Sequence, residues 1–282
     1  MISGRTRIFG LVGHPVRHSL SPLMHSTLFS RLGIDAVYVA FDVDPQRADR
    51  VADALRTLDV VGVNLTVPFK ERVLPHLDQL TLAAREAGAA NVVINVEGHL
   101  TGYNTDGEGF LAAAAEEHNF KAKNQRCCIL GAGGAARAVA AALAVQGAER
   151  VTLINRSPER ASLAAEQLRE RTGREVFFAE RLEPEAFARV SRDAALVANC
   201  LGGGSEAVVE ALPIEQLSRE SLWFDTNYWM TTPPKLAACA ARGLRTSTGL
   251  GMLLHQGALS FELFTGHPIE AEELREILQE AR

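Results

Sequence analysis

The chain has 282 residues, of which 47% are hydrophobic and 22% charged, and its formal net charge is −5. A chain of this length and composition is long enough for about two domains with buried cores, and it lacks the composition of a disordered segment. The 34 acidic residues outnumber the 29 basic ones without any long run of like charge, which excludes an obvious nucleic-acid or membrane-binding surface and favours a small-molecule partner.

The N-terminal 14 residues contain one brief apolar run, shorter than the core of an export signal. The longest apolar helix-like stretch, 135–145, covers about eleven residues, whereas a bilayer requires ~20. Cysteines 127, 128, 200 and 239 form no CxxC pair, and we expect reduced thiols. These features predict a cytoplasmic protein without a membrane span, and they leave open whether it is a monomer or a homodimer.

The first part of the chain alternates strand-like and helix-like patterns. Strands are predicted at 7–12, 37–43 and 62–67, and helices at 20–32, 45–58 and 80–88. Two short strand signals on either side of Glu97-Gly98-His99 predict a hairpin, and Asp106 opens a further helix. The pattern indicates an α/β unit.

The second part has a more regular βαβ rhythm. Strands are predicted at 126–130, 151–154, 175–178, 195–200, 222–225 and 244–246, with helices at about 134–146, 158–172 and 184–192. Two more helices are predicted at 252–264 and from 268–270 onward. This order predicts a parallel, Rossmann-like sheet.

A glycine-rich loop separates the first strand and helix of that sheet. Gly131, Gly133 and Ala136 spell G-x-G-x-x-A, in which the glycines permit a tight turn and a close backbone approach to a pyrophosphate at the helix N-terminus. The alternative is a glycine turn that binds no ligand. We predict that the loop contacts a dinucleotide through Gly131, Ala132, Gly133, Gly134 and Ala135.

The end of the second strand of this sheet indicates which dinucleotide binds. An NAD site would place an acidic residue about 20 residues after the loop, but the chain reads Asn155-Arg156-Ser157. A guanidinium forms bidentate hydrogen bonds with a 2′-phosphate, so NADP is predicted. Arg160, one turn later, is either a second phosphate ligand or an ordinary surface arginine.

Several polar residues of the first part lie where ligands bind in α/β proteins. Ser19 and Ser21 precede a helix, where they either bind a carboxylate or, for Ser21, simply cap the helix. Asn64 and Thr66 share one face of a strand, and Lys70 lies just beyond its end. Asp106 is a helix cap, a partner that holds the Lys70 ammonium during proton transfer, or both.

Three histidines, His14, His18 and His25, lie close together in the sequence, and the first two are four residues apart. Pro15 breaks the helix that would align them, and no cysteine or carboxylate cluster joins them. We therefore predict no metal site.

Seven motifs in order resemble those of the shikimate dehydrogenase family, and together they span nearly the whole chain. They are HSLSPLMH (18–25), GVNLTVPFK (62–70), GAANVV (88–93), GYNTDGEGF (102–110), GAGGAARA (131–138), NRSPERA (155–161) and GLGMLLHQGALSFELFTG (249–266). The resemblance implies an NADP-dependent oxidoreductase that reversibly reduces 3-dehydroshikimate to shikimate, a step of aromatic amino acid and chorismate biosynthesis.

The resemblance also implies roles for individual residues. Ser19, Ser21 and Tyr228, the last in a D-x-x-Y segment, would hold the substrate carboxylate. Lys70, positioned by Asp106, would assist proton transfer at the oxygen of C3. The ring hydroxyls would be surrounded by Asn64, Thr66, Asn91, Asp106 and Gln256, and Gly249 joins the expected cofactor contacts.

Residues 1–106 with 250–282 would then form a substrate domain, and 107–249 a Rossmann-like NADP-binding domain, with a cleft between them. The chain departs from the usual family pattern at Ser26, at Val92-Val93, at 199–204 and at Trp229-Met230. These departures keep open a quinate/shikimate dehydrogenase or an enzyme of another cyclitol acid. An alternative of another class is a regulatory dinucleotide-binding protein without turnover, against which the intact Lys70 and Asp106 argue.

Overall fold

The computed structural model describes residues 2–228, 233 and 235–281. Their contacts divide the chain into two compact units. The first comprises the residues up to Arg85, Ala89–Thr105 and the residues from Leu254 onward, and the second comprises Glu86–Gly88 and Asp106–Leu253.

The first unit contains a mixed sheet. Its elements begin, in chain order, with β1 (Arg7–Gly13), α1 (Ser21–Arg31), β2 (Ala36–Asp42), α2 (Val51–Thr57), β3 (Gly62–Leu65) and α3 (Phe69–Arg72). They continue with β4 (Gln79–Leu80), α4 (Leu82–Ala87), β5 (Val92–Val96) and β6 (His99–Tyr103). The strand order is β2-β1-β3-β5-β6-β4. β1 pairs in parallel with β2 and β3, and β5 pairs antiparallel with β3 and β6, so the predicted hairpin forms.

The second unit contains a wholly parallel sheet. Its elements begin with α5 (Asp106–His118), β7 (Arg126–Leu130), α6 (Gly134–Val145), β8 (Arg150–Asn155), α7 (Pro158–Thr172), β9 (Phe177–Arg181) and α8 (Pro184–Ser191). They continue with β10 (Leu196–Asn199), α9 (Glu206–Glu210), β11 (Leu222–Asp225), α10 (Leu236–Ala241) and β12 (Arg245–Ser247). The last helices of the chain are α11 (Gly249–Thr265) and α12 (Ala271–Glu280).

The strand order of the parallel sheet is β12-β11-β10-β7-β8-β9. Strands are added outward from β7 first on one side and then on the other, which is the doubly wound order of dinucleotide-binding folds. The order reverses between β7 and β10, and ligands in such sheets bind outside the carboxyl ends of the strands at that point. The predicted Rossmann-like fold is therefore confirmed.

Local sequence signals explain why α7 has the bounds that the sequence predicts. The Ser157 side chain accepts a hydrogen bond from the backbone N–H of Arg160 at 3.2 Å, and Pro158 occupies the first turn. Gly173 ends the helix with φ of 65°. The buried side chains Ala161, Ala164, Ala165 and Leu168 lie on one helical face, so propensity and burial agree.

Several predicted boundaries were wrong. β3 ends at Leu65, not at Val67, whose side chain is 66% exposed. β9 begins at Phe177 because the turn after Gly173 takes up Glu175. The helix expected from 80 starts at Leu82, since Gln79–Leu80 pair with β6 as a short strand. Helix α11 begins at Gly249, three residues earlier than expected.

No described helix is long and apolar enough to span a membrane.

Candidate functional site

A buried network of amides and hydroxyls in the first unit joins three proposed substrate ligands. The Asn91 amide nitrogen donates to Thr105 Oγ1 at 2.8 Å and to Gln256 Oε1 at 3.3 Å, while Asn91 Oδ1 accepts from the Thr105 backbone N–H at 2.8 Å. Asn64 Nδ2 donates to Ser260 Oγ at 3.0 Å and to the Asn91 carbonyl at 3.3 Å. The structure therefore brings Asn64, Asn91 and Gln256 together, and it adds Thr105 and Ser260, which the sequence analysis had not singled out.

A second layer fixes the orientation of Asn64. The Tyr38 hydroxyl donates to Asn64 Oδ1 at 2.7 Å, and the ring of His25 stacks on the ring of Tyr38 with centroids 4.5 Å apart. Burial lowers the pKa of His25 to about 3, so the imidazole is neutral at physiological pH. The HSLSPLMH motif offered His25 as a signal, but only packing shows that the side chain supports Asn64 through Tyr38.

Lys70 and Thr66 lie beside this network. Lys70 is half-buried in α3, and its backbone carbonyl accepts from the Ala90 N–H at 2.8 Å, which anchors the lysine next to the Asn91 backbone. Thr66 follows β3 instead of belonging to it. A Cβ at Gly13 would lie 2.2 Å from Thr66 Cγ2, so only glycine at position 13 leaves room for this threonine.

The structure tests one of the two roles predicted for Ser21 in the first motif, that of an N-cap. Ser21 was a candidate N-cap, but α1 begins at Ser21, and its cap position, Leu20, makes no side-chain cap bond. Instead, Ser19 Oγ accepts from the Ser21 backbone N–H at 3.2 Å. Ser21 is buried and Ser19 half-buried. The N-cap interpretation of Ser21 was wrong, because Leu20 holds the cap position and the helix already includes Ser21.

Asp106 lies in the second unit as the first residue of α5, and its side chain is buried. The helix that the sequence predicted to open at Asp106 therefore does begin there. A Cβ at the following residue, Gly107, would lie 2.7 Å from the Ala138 carbonyl oxygen. The glycine therefore permits α5 to approach α6 closely at the end that carries Asp106.

The glycine loop adopts the geometry that its spacing predicts. Gly131 has φ of +116°, which L side chains rarely adopt, and its N–H donates to the Ile154 carbonyl at 2.8 Å. Gly133 caps α6 without a side-chain bond. The N–H groups of the first turn therefore point out of the helix N-terminus, where they favour an anion. Ala136 is fully buried beneath the loop.

A buried arginine that sequence reasoning missed supports this loop. Arg137 Nε donates to the Ala132 carbonyl at 3.2 Å, and its Nη1 donates to Gln167 Oε1 at 2.8 Å. The side chain ties the loop to α7 from below. Its signal in the sequence was a single charged residue within an otherwise apolar alanine-rich helix.

The residues predicted to bind a 2′-phosphate lie at the end of β8 and the start of α7. Asn155 Nδ2 donates to the Ser157 carbonyl at 3.1 Å, and the side chains of Arg156 and Arg160 are exposed. The Ser157 hydroxyl donates to Glu159 Oε2 at 2.7 Å, which lowers the pKa of that carboxyl. Glu159 is a nearby acid that the sequence analysis overlooked, and it uses the hydroxyl that a phosphate would need.

A buried carboxylate organises the carboxyl ends of β10 and β11. Asp225 Oδ2 accepts from Asn199 Nδ2 at 2.7 Å, and its Oδ1 accepts from the Asn227 N–H at 2.9 Å and from Asn227 Nδ2 at 2.7 Å. We call Asp225, Asn199 and Asn227 the Asp225 cluster. Burial raises the pKa of the Asp225 carboxyl, and the amide donors oppose that shift. Tyr228 follows the cluster directly, whereas Trp229 and Met230 lie outside the described residues.

Gly249, an expected cofactor contact, has a packing role of its own. A Cβ on Gly249 would lie 2.1 Å from the Thr226 carbonyl oxygen. The close approach of α11 to the chain after β11 therefore requires glycine at this position, whether or not the residue touches a cofactor.

Within the described ranges, no group of three or more His, Cys, Asp or Glu side chains could hold a metal ion. The four cysteines are free. Burial raises the pKa of the Cys127 and Cys239 thiols to about 12, which leaves both unreactive at neutral pH.

Comparison with known proteins decides the family. Residues 11–93 match the model of the shikimate dehydrogenase substrate-binding domain, 113–183 match shikimate/quinate 5-dehydrogenase, and 249–279 match the shikimate 5′-dehydrogenase C-terminal domain. The NADP⁺-dependent shikimate dehydrogenase of Symbiobacterium thermophilum is 42% identical over 267 residues, which cover 93% of this chain and 90% of the relative. The chain belongs to the shikimate dehydrogenase family.

Solved structures of the shikimate dehydrogenase family have the same fold. A shikimate dehydrogenase in complex with NADP⁺ superposes with a TM-score of 0.87 at 34% identity, covering 100% of this chain and 97% of that one. The Thermus thermophilus enzyme, in complex with NADP(H) and shikimate, gives a TM-score of 0.81 at 37% identity and covers 98% of this chain and 100% of that one. The family resemblance inferred from seven sequence motifs is confirmed.

Proposed function

We propose that this chain is an NADP-dependent shikimate dehydrogenase that reversibly reduces 3-dehydroshikimate to shikimate. The observation that carries the proposal is the buried network of Asn64, Asn91 and Gln256 in a chain that also carries the glycine loop on a doubly wound sheet. Amides fixed by Thr105, Ser260 and Tyr38 suit a ligand rich in hydroxyl groups, because each can offer a donor or an acceptor in a set direction.

The proposed substrate and cofactor ligands come mostly from different parts of the chain. Residues 1–106 with 250–282 carry all the proposed substrate groups except Tyr228, and residues 107–249 carry Tyr228 and the cofactor groups. Ser19, Ser21 and Tyr228 hold the carboxylate of the substrate, and its ring hydroxyls contact Asn64, Thr66, Asn91, Asp106 and Gln256. The cofactor contacts comprise Gly131, Ala132, Gly133, Gly134, Ala135, Asn155, Arg156, Ser157, Arg160 and Gly249.

The chemical step needs one hydride and one proton. NADPH, held by the glycine loop and the residues at the end of β8, would supply the hydride for the C3 carbonyl carbon. The Lys70 ammonium gives a proton to the oxygen that gains charge, and Asp106 orients that ammonium. In the reverse direction, the neutral amine of Lys70 takes the hydroxyl proton from the alcohol. The surrounding amides exclude water and hold the ring so that only one hydroxyl faces the lysine.

The proposed preference for NADP over NAD depends on two arginines that follow β8, Arg156 and Arg160. Arg156 and Arg160 are exposed, and among the described residues their guanidinium groups make no ion pair. Both are therefore available to a 2′-phosphate, to which arginine donates bidentate hydrogen bonds. The cytoplasmic location and the monomeric or homodimeric state stay predictions of the sequence.

A specific observation also favours a second candidate, the oxidation of quinate or a related cyclitol acid. The family model that matches 113–183 covers both shikimate and quinate dehydrogenases. The chain also departs from the usual family pattern at 199–204 and at Val92-Val93. Small differences in hydroxyl partners discriminate between such substrates.

The test is steady-state turnover measured by absorbance of the reduced nicotinamide, with shikimate and quinate each paired with NADP and with NAD. We expect turnover with shikimate and NADP, and its loss in Lys70→Ala by a factor of about 10²–10⁴, the usual contribution of a general acid or base. Lys121→Ala, which removes an exposed lysine elsewhere, is the matched control. Activity on quinate alone would support the second candidate, and activity retained in Lys70→Ala would refute the assigned role.

A further inference from the structure

The Asp225 cluster sets the direction of every hydrogen bond around it. A carboxylate only accepts, so Asn199 must face Asp225 with its Nδ2 and turn its Oδ1 elsewhere. That oxygen accepts from the Leu201 backbone N–H at 3.2 Å. Asn227 Nδ2 also donates to the Leu201 carbonyl at 3.2 Å. One buried carboxylate thereby fixes both backbone groups of Leu201 through two asparagines.

The cluster lies beside the point where the strand order reverses. β7 and β10 are neighbours there; the glycine loop follows β7, and Cys200 and Leu201 follow β10. A Cβ at Gly131 would lie 3.2 Å from the Cys200 carbonyl oxygen. The chain after β10 thus packs directly against the turn that the proposed dinucleotide site requires.

The same cluster holds the chain after β11. Asp225 Oδ1 accepts from the backbone and the side chain of Asn227, and the Thr226 backbone N–H and hydroxyl both donate to the Asn199 carbonyl at 2.9 Å. Tyr228 is the next residue. The Asp225 carboxylate is completely buried, so water does not replace these partners if one is lost.

We propose that Asp225 is a positioning residue that holds the segments after β10 and β11 in the conformation that binds NADPH and presents Tyr228 to the substrate. The proposal rests on the proposed function for the roles of the glycine loop and Tyr228. Asp225 itself touches neither ligand and acts through Asn199 and Asn227.

The direction of these hydrogen bonds provides a sharp test. In Asp225→Asn, the new amide nitrogen faces the donor of either Asn199 or Asn227, and a flip of Asn199 only moves the conflict to the Leu201 N–H. In Asn199→Asp, two carboxylates face each other. In the exchanged variant Asn199→Asp/Asp225→Asn, the amide at 225 donates to the carboxylate at 199, and every other bond keeps its direction.

The experiment compares the wild type, both single variants and the exchanged variant. NADPH affinity is measured by the fluorescence of the bound nicotinamide, KM and kcat are measured with shikimate, and the thermal midpoint is measured without ligand. The control is Ser221→Ala, which removes a buried 2.7 Å hydrogen bond to the Ala194 carbonyl at the opposite end of β11. It tests whether the loss of any buried hydrogen bond in this strand has the same effect.

We expect Asp225→Asn to weaken NADPH binding by about tenfold and to raise KM for shikimate by a similar factor, since each hydrogen bond to a charged group has an effect of that order. The exchanged variant should recover both values, and Ser221→Ala should change neither. Wild-type affinity and KM in Asp225→Asn, or equal losses in Ser221→Ala, would overturn the proposal.

Two further outcomes would also count against the proposed role of Asp225. An exchanged variant that folds but binds NADPH as weakly as Asp225→Asn would overturn the proposal. So would the failure of Asp225→Asn and of the exchanged variant to fold, because the cluster would then be needed for folding alone. A wild-type chain that binds NADPH but does not turn over shikimate would refute the proposed function, while the NADPH measurements would still test Asp225.

Discussion

At the scale of single residues, His25 shows how a motif residue can act through packing instead of chemistry. Its side chain is 1% exposed and lies among the rings of Tyr38, Phe261 and Phe264. Nδ1 has no hydrogen-bond partner. The neutral ring therefore behaves as an aromatic spacer behind Tyr38, which in turn orients Asn64.

The buried His25 predicts a pH-dependent stability. Its pKa in the folded protein is about 3, against 6.5 for the exposed side chain, so below pH 6.5 the unfolded chain binds a proton that the folded chain does not. The free energy of unfolding therefore carries no penalty from His25 above pH 6.5. It falls as the pH drops toward 3, by about 2 kcal/mol at pH 5. His25→Phe should lose that much less stability between pH 7.5 and pH 5, as measured by urea unfolding. Equal losses in the two proteins would contradict this assignment.

Glu159 places a carboxylate beside the proposed site of the 2′-phosphate. Its carboxylate accepts from the Ser157 hydroxyl, and it lies in the helical turn that also carries Arg160. A negative charge beside a phosphate site opposes binding of the phosphate, and a hydroxyl bound to a carboxylate is not free to donate elsewhere.

We therefore expect Glu159→Gln to bind NADP more tightly, by about threefold at low ionic strength, and to leave NAD binding unchanged. Titration of both dinucleotides by fluorescence, repeated at high salt, measures the effect. Glu166→Gln, farther along the same helix, is the control. A similar gain for NAD would show that Glu159 does not act on the 2′-phosphate.

At the scale of elements, the sequence predicted best where local signals and burial coincide. β7, α7 and β11 have the bounds that the pattern predicts, because β11 and all but the first residue of β7 are buried and α7 has clear caps at its ends. The short helices α3, α9 and α10 were missed. They have four to six residues and no side-chain caps, so periodicity had too few turns to reveal them.

The turn at Gly131 gives a prediction for an element. Gly131→Ala places a side chain in a positive-φ conformation and 3.2 Å from the Cys200 carbonyl oxygen. We expect the free energy of unfolding to fall by about 1–2 kcal/mol and NADPH affinity to fall with it. Gly4→Ala, where a Cβ also meets nothing within 4 Å, should be close to neutral. Calorimetry and NADPH fluorescence on both variants make the comparison, and equal behaviour would show that the turn does not require glycine.

At the scale of the whole molecule, the first unit is discontinuous in sequence. The residues from Leu254 onward complete it. The ring of Phe264 lies 5.1 Å from that of Phe9, and Ser260 binds Asn64. Phe261 and Leu274 are fully buried. The C-terminal helices therefore supply both core side chains and part of the proposed substrate site.

A chain that ends at Leu253 should lose the first unit and keep the second. Without α12 and most of α11, the sheet that carries Asn64 loses its aromatic core, whereas the sheet of 106–253 keeps its own buried cluster around Trp223. We expect limited proteolysis to digest residues before 106 and to spare 106–253, with NADPH binding retained. A protease-resistant N-terminal fragment would show that the first unit folds without its C-terminal part.

The sequence by itself determined the α/β class, the doubly wound second sheet, the glycine loop and the family. Each of these depends on local periodicity or on short motifs whose spacing has one structural solution. Only the tertiary structure showed that Tyr38 orients Asn64 and that His25 packs against Tyr38. It also showed that Arg137 supports the glycine loop. It showed, finally, that Asp225 fixes two loops through Asn199 and Asn227. Those contacts join residues far apart in the chain or on neighbouring strands, and a hydrogen bond between them leaves no periodic signal in the sequence.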